Sequence, residues 1–430
     1  LAPQPNMKNL LDKFFLRSNN LDHISKNIKD LSSNTPISKI FDAIDSYSSS
    51  SEIRYVGGCI RKIINKEKID DIDLATNLEP IQVCEALGQN KINFHETGIK
   101  HGTITALIDN YKFEITSLRE DVSTDGRHAQ VKFSQDWKKD ASRRDFTINA
   151  IYSDKEGNLF DPYNGKEDLK KGEINFIGDT ETRIKEDYLR ILRYFRFFLN
   201  YSKQKHKPEI IKFLRMNIDG ISKLSKERLL DELKKMINSK SLIKLSKDKI
   251  SLEFIKIIFP ELKYFNIFTK INSYLFEILK EVDFIFLISL LIIDETDNAD
   301  YFIYKFNISK KDQKRIKNID EFYKEKLTSK TFNENNLNSI FYYKGKEALI
   351  DILYFKLFKS KKFDNHLIEL TKLFKEKSIP IMPIKADILI SKYKIPEGKI
   401  LGNKLKLIED IWVKNNFKIS DNEVDNIINN

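Results

Sequence analysis

The spacing of apolar residues splits this chain into two regimes. Up to about residue 170, short apolar runs of period two are interrupted by turn residues. From about residue 180 onward strand patterns nearly vanish and apolar residues recur at helical spacing. Residues 34–50 read as a helix. Residues 53–56, Ile-Arg-Tyr-Val, are β-rich and run straight into Gly57-Gly58, after which 59–66 is helical. Residues 69–76 alternate as a strand. Thr103–Leu107 and Tyr111–Leu118 read as two more strands joined by a turn at Ile108-Asp109-Asn110, and a further strand is expected at 130–133. These elements predict a small mixed sheet with a few helices over about 50–170. Behind it, amphipathic segments at 182–201, 208–217, 225–238, 251–258, 263–280, 283–293, 309–327, 346–360 and 363–377 predict helices. Pro380–Pro383 and Pro396–Gly402 break the pattern before a last helical piece, 403–415. The expected fold class is α+β, a small mixed-sheet head followed by an all-helical remainder.

Composition narrows the class of protein. The 430 residues leave room for two to four domains. An apolar content of 41% with 32% charged residues excludes a disordered or fibrous chain. The net charge is +11 and unevenly placed. Residues 1–200 hold 30 Lys and Arg against 31 Asp and Glu, a net of −1; residues 201–430 hold 44 against 32, a net of +12. A basic surplus of this size points to a polyanionic partner. Ten of the 14 glycines precede residue 200, which fits a turn-rich front and a helical back. Cys59 and Cys84 form neither a disulfide framework nor a zinc pattern, so a reducing cytoplasm is expected. The longest apolar run, Phe284–Ile293, is half of a membrane span, which predicts a buried helix and no membrane partner. Leu1–Asn6 precedes Met7 without the basic-then-apolar order of a signal peptide and reads as a leader outside the fold. The six histidines show no metal-ligand spacing.

Candidate chemistry concentrates in the front half. On a strand at 69–76, Asp71 and Asp73 share one face. Such a pair is unfavourable unless something neutralises it, and magnesium prefers one or two carboxylates plus substrate phosphates. Taken alone, Asp-x-Asp reads more readily as a solvated strand end. Its context adds Gly57-Gly58, where backbone N–H groups can approach a phosphate closely, with the cation Arg61 just behind. It also adds Glu114, which alternates with Phe113 and Ile115 and so faces away from the core. Three acids and a glycine turn are the parts of a metal-dependent phosphoryl-transfer site. Ser142–Ala150 begins like a helix with Ser142 as its cap, which would set Arg143 and Arg144 in a first turn, against the helix dipole. Near an anion that cost becomes a benefit, and Arg144 could clamp a triphosphate. Glu186–Phe197 reads as one helix on which Asp187 and Arg190, then Arg193 and Arg196, are surface neighbours. Asp187 only accepts hydrogen bonds and Arg190 only donates them. Held rigidly, that pair accepts cytosine and adenine, which present an amine beside a ring-nitrogen acceptor, and rejects uracil and guanine.

Four motifs, in order and spacing, resemble the class II tRNA nucleotidyltransferases, the bacterial-type CCA-adding enzymes, and their relatives the bacterial poly(A) polymerases. They are Val56-Gly57-Gly58-Cys59-Ile60-Arg61, Asp71-Ile72-Asp73-Leu74-Ala75-Thr76, Arg143-Arg144-Asp145-Phe146-Thr147-Ile148-Asn149-Ala150, and Glu186-Asp187-Tyr188-Leu189-Arg190 with Arg193 and Arg196. Smaller matches lie at Gly98–Thr103, Phe113–Thr116, Asp161-Pro162 and Ser225–Leu233. The resemblance is strong over 53–238, thin over 239–385, and returns at Pro396–Trp412. It implies a seahorse-like arrangement: a leader and helix (1–50), a catalytic head (51–172), a helical neck for base recognition (173–240), a body (241–345) and a tRNA-binding tail (346–430). It implies Asp71 and Asp73 as the metal-binding pair of a two-metal Mg2+ site, with Glu114 as a third acid. Gly58, Arg61 and Arg144 would contact the nucleotide phosphates. Asp187 and Arg190 would read the incoming base, supported by Arg193 and Arg196. Segment 121–129 would be the loop associated with the switch from C to A. The chain departs from the family's usual pattern at Lys62, where an Asp is common, and at Ile63-Ile64-Asn65.

The activity implied is addition of CCA to tRNA 3′ ends from CTP and ATP with release of pyrophosphate. Poly(A) addition on the same fold, and A-only or CC-only addition, stay open as alternatives. Residues 91–108 carry only Lys91 and Lys100 where poly(A) members tend to be arginine-rich, and this favours CCA addition. A catalytically silent RNA-binding protein would not need Asp71, Asp73, Asp187 and Arg190 intact. In the basic back half, Ser309–Lys317, Lys203–Lys207 and Lys356–Lys362 are candidate contacts for the tRNA backbone. The sequence leaves oligomeric state open.

Overall fold

A computed structural model describes residues 23–69, 71–124, 129–325, 332–360 and 364–429. The chain divides into two compact units between Glu232 and Leu233. The front unit opens with helices at 23–34 (α1) and Ile37–Asp45 (α2). Ile53–Val56 (β1) leads through Gly57 into Gly58–Ile64 (α3). Asp73–Thr76 (β2), Pro80–Gln89 (α4), Asn93–Gly98 (β3), Thr103–Ile108 (β4) and Tyr111–Ser117 (β5) follow. Arg119–Thr124 (β6) and Ala129–Phe133 (β7) form a separate two-stranded ribbon. Trp137–Ser142 (α5) precedes the short strands Tyr152–Ser153 (β8) and Leu159–Phe160 (β9). Five helices complete the unit: Gly165–Lys171 (α6), Thr180–Glu186 (α7), Leu189–Tyr201 (α8), Pro208–Met216 (α9) and Lys226–Met236 (α10), the last running across the division.

The main sheet has seven strands in the order β3-β4-β5-β2-β1-β8-β9. β2 and β5 pair in parallel, and every other neighbour is antiparallel. One face buries Leu74, Ile104, Ala106, Phe113 and Ile115 against residues of α1, α2 and α4. The other face is divided. Over β1, β2 and β8 it is closed by a small core of Val56, Ala75, Tyr152 and, from α5, Ala141. Over β5, β4 and β3 its residues, Glu114 and Thr105 among them, stay exposed or half-exposed. This boundary within one face is where the candidate site lies.

Several expectations shift. The strand expected from residue 69 starts at Asp73, so Asp71 lies outside it in unpaired backbone. β3 gave little signal because Asn-Phe-His-Glu-Thr-Gly is an edge strand with a single half-buried apolar residue, Phe94. The helix expected from Ser142 is instead the end of α5, which begins at Trp137 with Asp136 as its cap, the carboxylate accepting from the Lys138 and Lys139 N–H groups. The helix expected over 182–201 is two helices that break at Asp187. Of the expected loop at 121–129, residues 121–124 and 129 lie on the ribbon, and 125–128 fall outside the described residues.

Beyond α10, every regular element described in the second unit is a helix, from Ser239–Leu245 to Asp421–Asn429. Phe284–Ile292 is buried almost all round, as its continuous apolar run requires, and Asp283 caps it by accepting from the Phe286 N–H at 3.0 Å. Ser309 likewise caps Lys310–Lys324, accepting from the Asp312 N–H. A separate small core of Leu389, Leu401, Ile408, Val424 and Ile427 holds the last three helices together. Among the described residues no helix is long and apolar enough to cross a membrane.

Candidate active site

Asp73 is the first residue of β2, and the parallel pairing sets it directly opposite Glu114 of β5. Paired residues on neighbouring strands point to the same face, so the two carboxylates meet across the sheet. Asp71, two residues earlier, is exposed. The carboxylates are therefore gathered by one strand pairing and a loop rather than by one strand alone. Burial, then Glu114 and Asp71, push the Asp73 carboxyl above its ordinary value, and Arg144 and Arg61 pull it only part of the way back. That is the signature of an acid group short of cations. No group of three or more His, Cys, Asp or Glu among the described residues could hold a metal by itself. An ion that takes one or two carboxylates and completes its shell on substrate phosphates fits this donor set, as Mg2+ does.

Gly57 carries φ +66°, a conformation that side chains rarely adopt, and its N–H donates to the Ile151 carbonyl at 3.1 Å. A Cβ there would lie 3.4 Å from the Asn149 carbonyl and 3.5 Å from Arg144 Nη1. Gly58, singled out from the sequence, is close to the acid pair, since a Cβ on it would lie 3.8 Å from Asp73 Oδ2. Arg61, one turn along α3, is buried and donates to Asn149 Oδ1, while its Nε has no hydrogen-bond partner among the described residues.

Because α5 ends at Ser142, Arg143 and Arg144 follow its C-terminus, where the helix dipole favours cations. The cost anticipated for a first turn does not arise. Both guanidiniums ion-pair with the buried Asp140, Arg143 at 2.7 Å and Arg144 at 3.1 Å, and Arg144 Nε also donates to the Tyr152 hydroxyl at 2.9 Å. Burial raises the Asp140 carboxyl, but Arg144 and Arg143 outweigh it and hold the group well below the usual carboxylate range. Asp145 is fixed in the same way, accepting from Arg193 Nε at 2.6 Å and Asn149 Nδ2 at 2.8 Å.

Asp187 sits at the break between α7 and α8 in extended backbone, φ −154° and ψ 106°. One of its oxygens accepts from the Leu189 N–H at 3.1 Å and the other from Arg228 at 2.8 Å. Arg190 pairs with Glu186 at 2.6 Å and donates to the Arg183 carbonyl. The two residues expected to act together are thus each held by a different partner. Arg193 and Arg196 lie against the Phe197 ring, 5.5 and 4.1 Å from its centroid, as does Arg61 at 4.8 Å. Arg196 also pairs with the buried Glu232. Sequence reasoning missed Arg183, which donates to the Arg143 and Arg144 carbonyls and so ties the arginine segment to α7. It also gave no role to Asp140, Glu186, Arg228 or Glu232, the partners that orient the arginines and Asp187. The Ser225–Leu233 match was the available signal for Arg228 and Glu232, and the motif opening at Glu186 for that residue.

These elements line a cavity of ≈ 430 Å³ within the front unit. Seven arginines line it (61, 143, 144, 190, 193, 196 and 228), together with Gly57, Gly58, Asp73 and Asp187. Glu114, on the open half of the sheet face, and Asp71 lie outside that lining. A pocket this rich in guanidinium groups, with a carboxylate at its edge, is suited to a polyphosphate.

The chain resembles known proteins over part of its length. Residues 53–175 match the family described as "Poly A polymerase head domain", and residues 207–266 match "Probable RNA and SrmB- binding site of polymerase A". The front unit is similar to a head of that family over these residues, and the resemblance read from the four motifs holds. Among individual proteins, the chain is 47% identical over 189 residues to the human "CCA tRNA nucleotidyltransferase 1, mitochondrial", covering 43% of this chain and 44% of that protein. It is 36% identical over 187 residues to the "CCA-adding enzyme" of Lactobacillus johnsonii, covering 43% and 46%. The matches thus span somewhat less than half the length of these relatives. The fold is shared more widely. The Bacillus stearothermophilus CCA-adding enzyme in complex with CTP superposes with a TM-score of 0.65 at 20% identity, over 89% of this chain and 93% of that one. The Thermotoga maritima CCA-adding enzyme complexed with tRNA gives 0.59 at 20% identity, over 91% and 93%.

Proposed function

We propose that this chain is a template-independent RNA nucleotidyltransferase that adds CCA to tRNA 3′ ends from CTP and ATP. The observation that carries the reading is the arginine-lined cavity with Asp73 at its edge. The sequence match to proteins named for CCA addition supports it. Arg144 and Arg61 hold the triphosphate of the incoming nucleotide. Gly57 and Gly58 let it approach the backbone. Asp187 and Arg190 contact the base, which requires Asp187 to exchange part of its hold on Arg228, and Arg190 part of its hold on Glu186, for the nucleotide. Asp71 and Asp73, beside Glu114, would hold Mg2+, which when bound lowers the pKa of the attacking hydroxyl and neutralises charge on the leaving pyrophosphate. The tRNA lies on the basic second unit. We assign the head to 51–172, the neck to 173–240, the body to 241–345 and the tail to 346–430.

The test is a tRNA lacking its last three nucleotides, supplied with CTP and ATP together and sequenced to its end. A stop after CCA is expected, and Asp71→Ala should abolish it. A long A tail would mean poly(A) polymerase instead, and addition of only C or only A would mean a partial enzyme. The reduced cysteines Cys59 and Cys84 support a cytoplasmic location. The human relative's name places that protein in mitochondria, so imaging of the tagged chain decides between the two.

A further inference from the structure

Glu114 has a second neighbour across the sheet. β4 sets Thr105 opposite Glu114, and β3 sets His95 opposite Thr105. With Asp73 opposite Glu114 on the other side, the row Asp73–Glu114–Thr105–His95 crosses four adjacent strands on one face. Three steps between strands cover about 14 Å. Ile104, Ala106, Phe113 and Ile115 are buried on the opposite, helix-covered face, whereas His95 and Glu114 are exposed and Thr105 is half-exposed. Lys112, two residues before Glu114 on β5, is exposed on the same side.

A polar open face is ordinary in an antiparallel sheet. What distinguishes this one is where it begins. On the β1 side of Asp73 the face is closed by the small core that includes α5, and the arginine cavity adjoins Asp73. On the β3 side it is open. Phosphoryl transfer sets the attacking and leaving oxygens roughly in line on opposite sides of the phosphorus. If the leaving pyrophosphate lies among the arginines, the attacking hydroxyl must come from the other side of the acid pair, over Glu114. We infer that the open face of β5, β4 and β3 seats the 3′-terminal nucleotides of the RNA being extended, with Lys112, Thr105 and His95 as positioning residues. Lys112 offers a cation to a phosphate, the Thr105 hydroxyl suits a ribose hydroxyl, and the His95 ring offers a surface to a base. The inference rests on the RNA-extension reading above.

The experiment measures initial rates of CTP incorporation while the truncated tRNA is varied, for the full chain, Lys112→Glu and the double variant Thr105→Val/His95→Ala. The expected result is a rise of about tenfold in KM for the RNA. The values of kcat at saturating RNA and of KM for CTP should stay within about twofold, since none of these side chains lines the arginine cavity. Lys112→Glu should also lower the slope of log affinity against log salt by about 1. An unchanged KM for RNA, or an effect confined to CTP, would overturn the assignment. Failure of the unaltered chain to extend any RNA would instead sink the underlying functional reading.

Discussion

Asp73 shows how a residue can serve chemistry at the expense of the fold. Its carboxyl is raised by burial and by Glu114 and Asp71. A group raised in the folded state favours folding fully at pH below its ordinary value, and that contribution is lost as pH rises through the raised value. At neutral pH in chelator, the ionised Asp73 is therefore a burden. Asp73→Asn should raise the thermal midpoint there by about 2–4 °C, the shift expected for about 1 kcal/mol in a unit of this size. The gain should shrink as pH falls through the carboxylate range, and kcat should drop by about 10²–10³-fold. Calorimetry across pH 4–8 checks the sign, and a variant that melts lower at neutral pH would refute the account. The acids proposed for the metal and the arginines proposed for the phosphates were legible in the sequence because each sits in a contiguous motif. Asp140 and Arg183 were not, because a buried partner is chosen by the fold and leaves no local spacing to read.

At the scale of elements, the break between α7 and α8 positions Asp187. Residues 180–201 contain neither glycine nor proline, and the apolar pattern continues across the break. Nothing local announces it. The interactions that accompany it are tertiary: Arg228 on α10 takes one Asp187 oxygen, and the Tyr188 ring packs onto Gly220. A Cβ on Gly220 would come within 2.1 Å of that ring. Gly220→Ala should therefore cost about 1–3 kcal/mol through overpacking. By displacing Tyr188 it should also relax base choice toward UTP, as Asp187→Ala should directly. Competition between CTP and UTP on truncated tRNA reads this out, and an unchanged incorporation ratio would uncouple the break from base selection. The reversal of the arginine segment has the same origin. Ser142 fits the start of a helix or its end, and Asp136, which caps α5 six residues earlier, settles which.

For the whole molecule, not every cation behind residue 200 is open to a partner, although ion pairing leaves the net surplus of +12 unchanged. Lys263, Lys305 and Lys324 are paired with Asp294, Glu261 and Asp320, and Arg315 with Asp351 and Asp283. Lys310, Lys311 and Lys314 stand exposed on the capped basic helix. Changing all three to Gln should lower the salt slope of tRNA binding by roughly 0.7–0.9 for each phosphate that the helix no longer neutralises. Filter binding across a salt series measures this, and an unaltered slope would place the tRNA backbone elsewhere on the surface. By itself the sequence determined the two regimes of structure, the sheet strands read at 53–56, 103–107 and 111–118, most of the long helices, and the residue types that suit phosphoryl transfer. These properties follow from periodicity and from motifs whose members are near neighbours in the chain. Only the tertiary structure decided that Glu114 faces Asp73, that Asp187 and Arg190 are held by different partners, that seven arginines share one cavity, and that half of the sheet face stays open beside the acids. Each of these depends on strand pairing or on packing between residues far apart in sequence, and no local pattern encodes which distant residue will arrive.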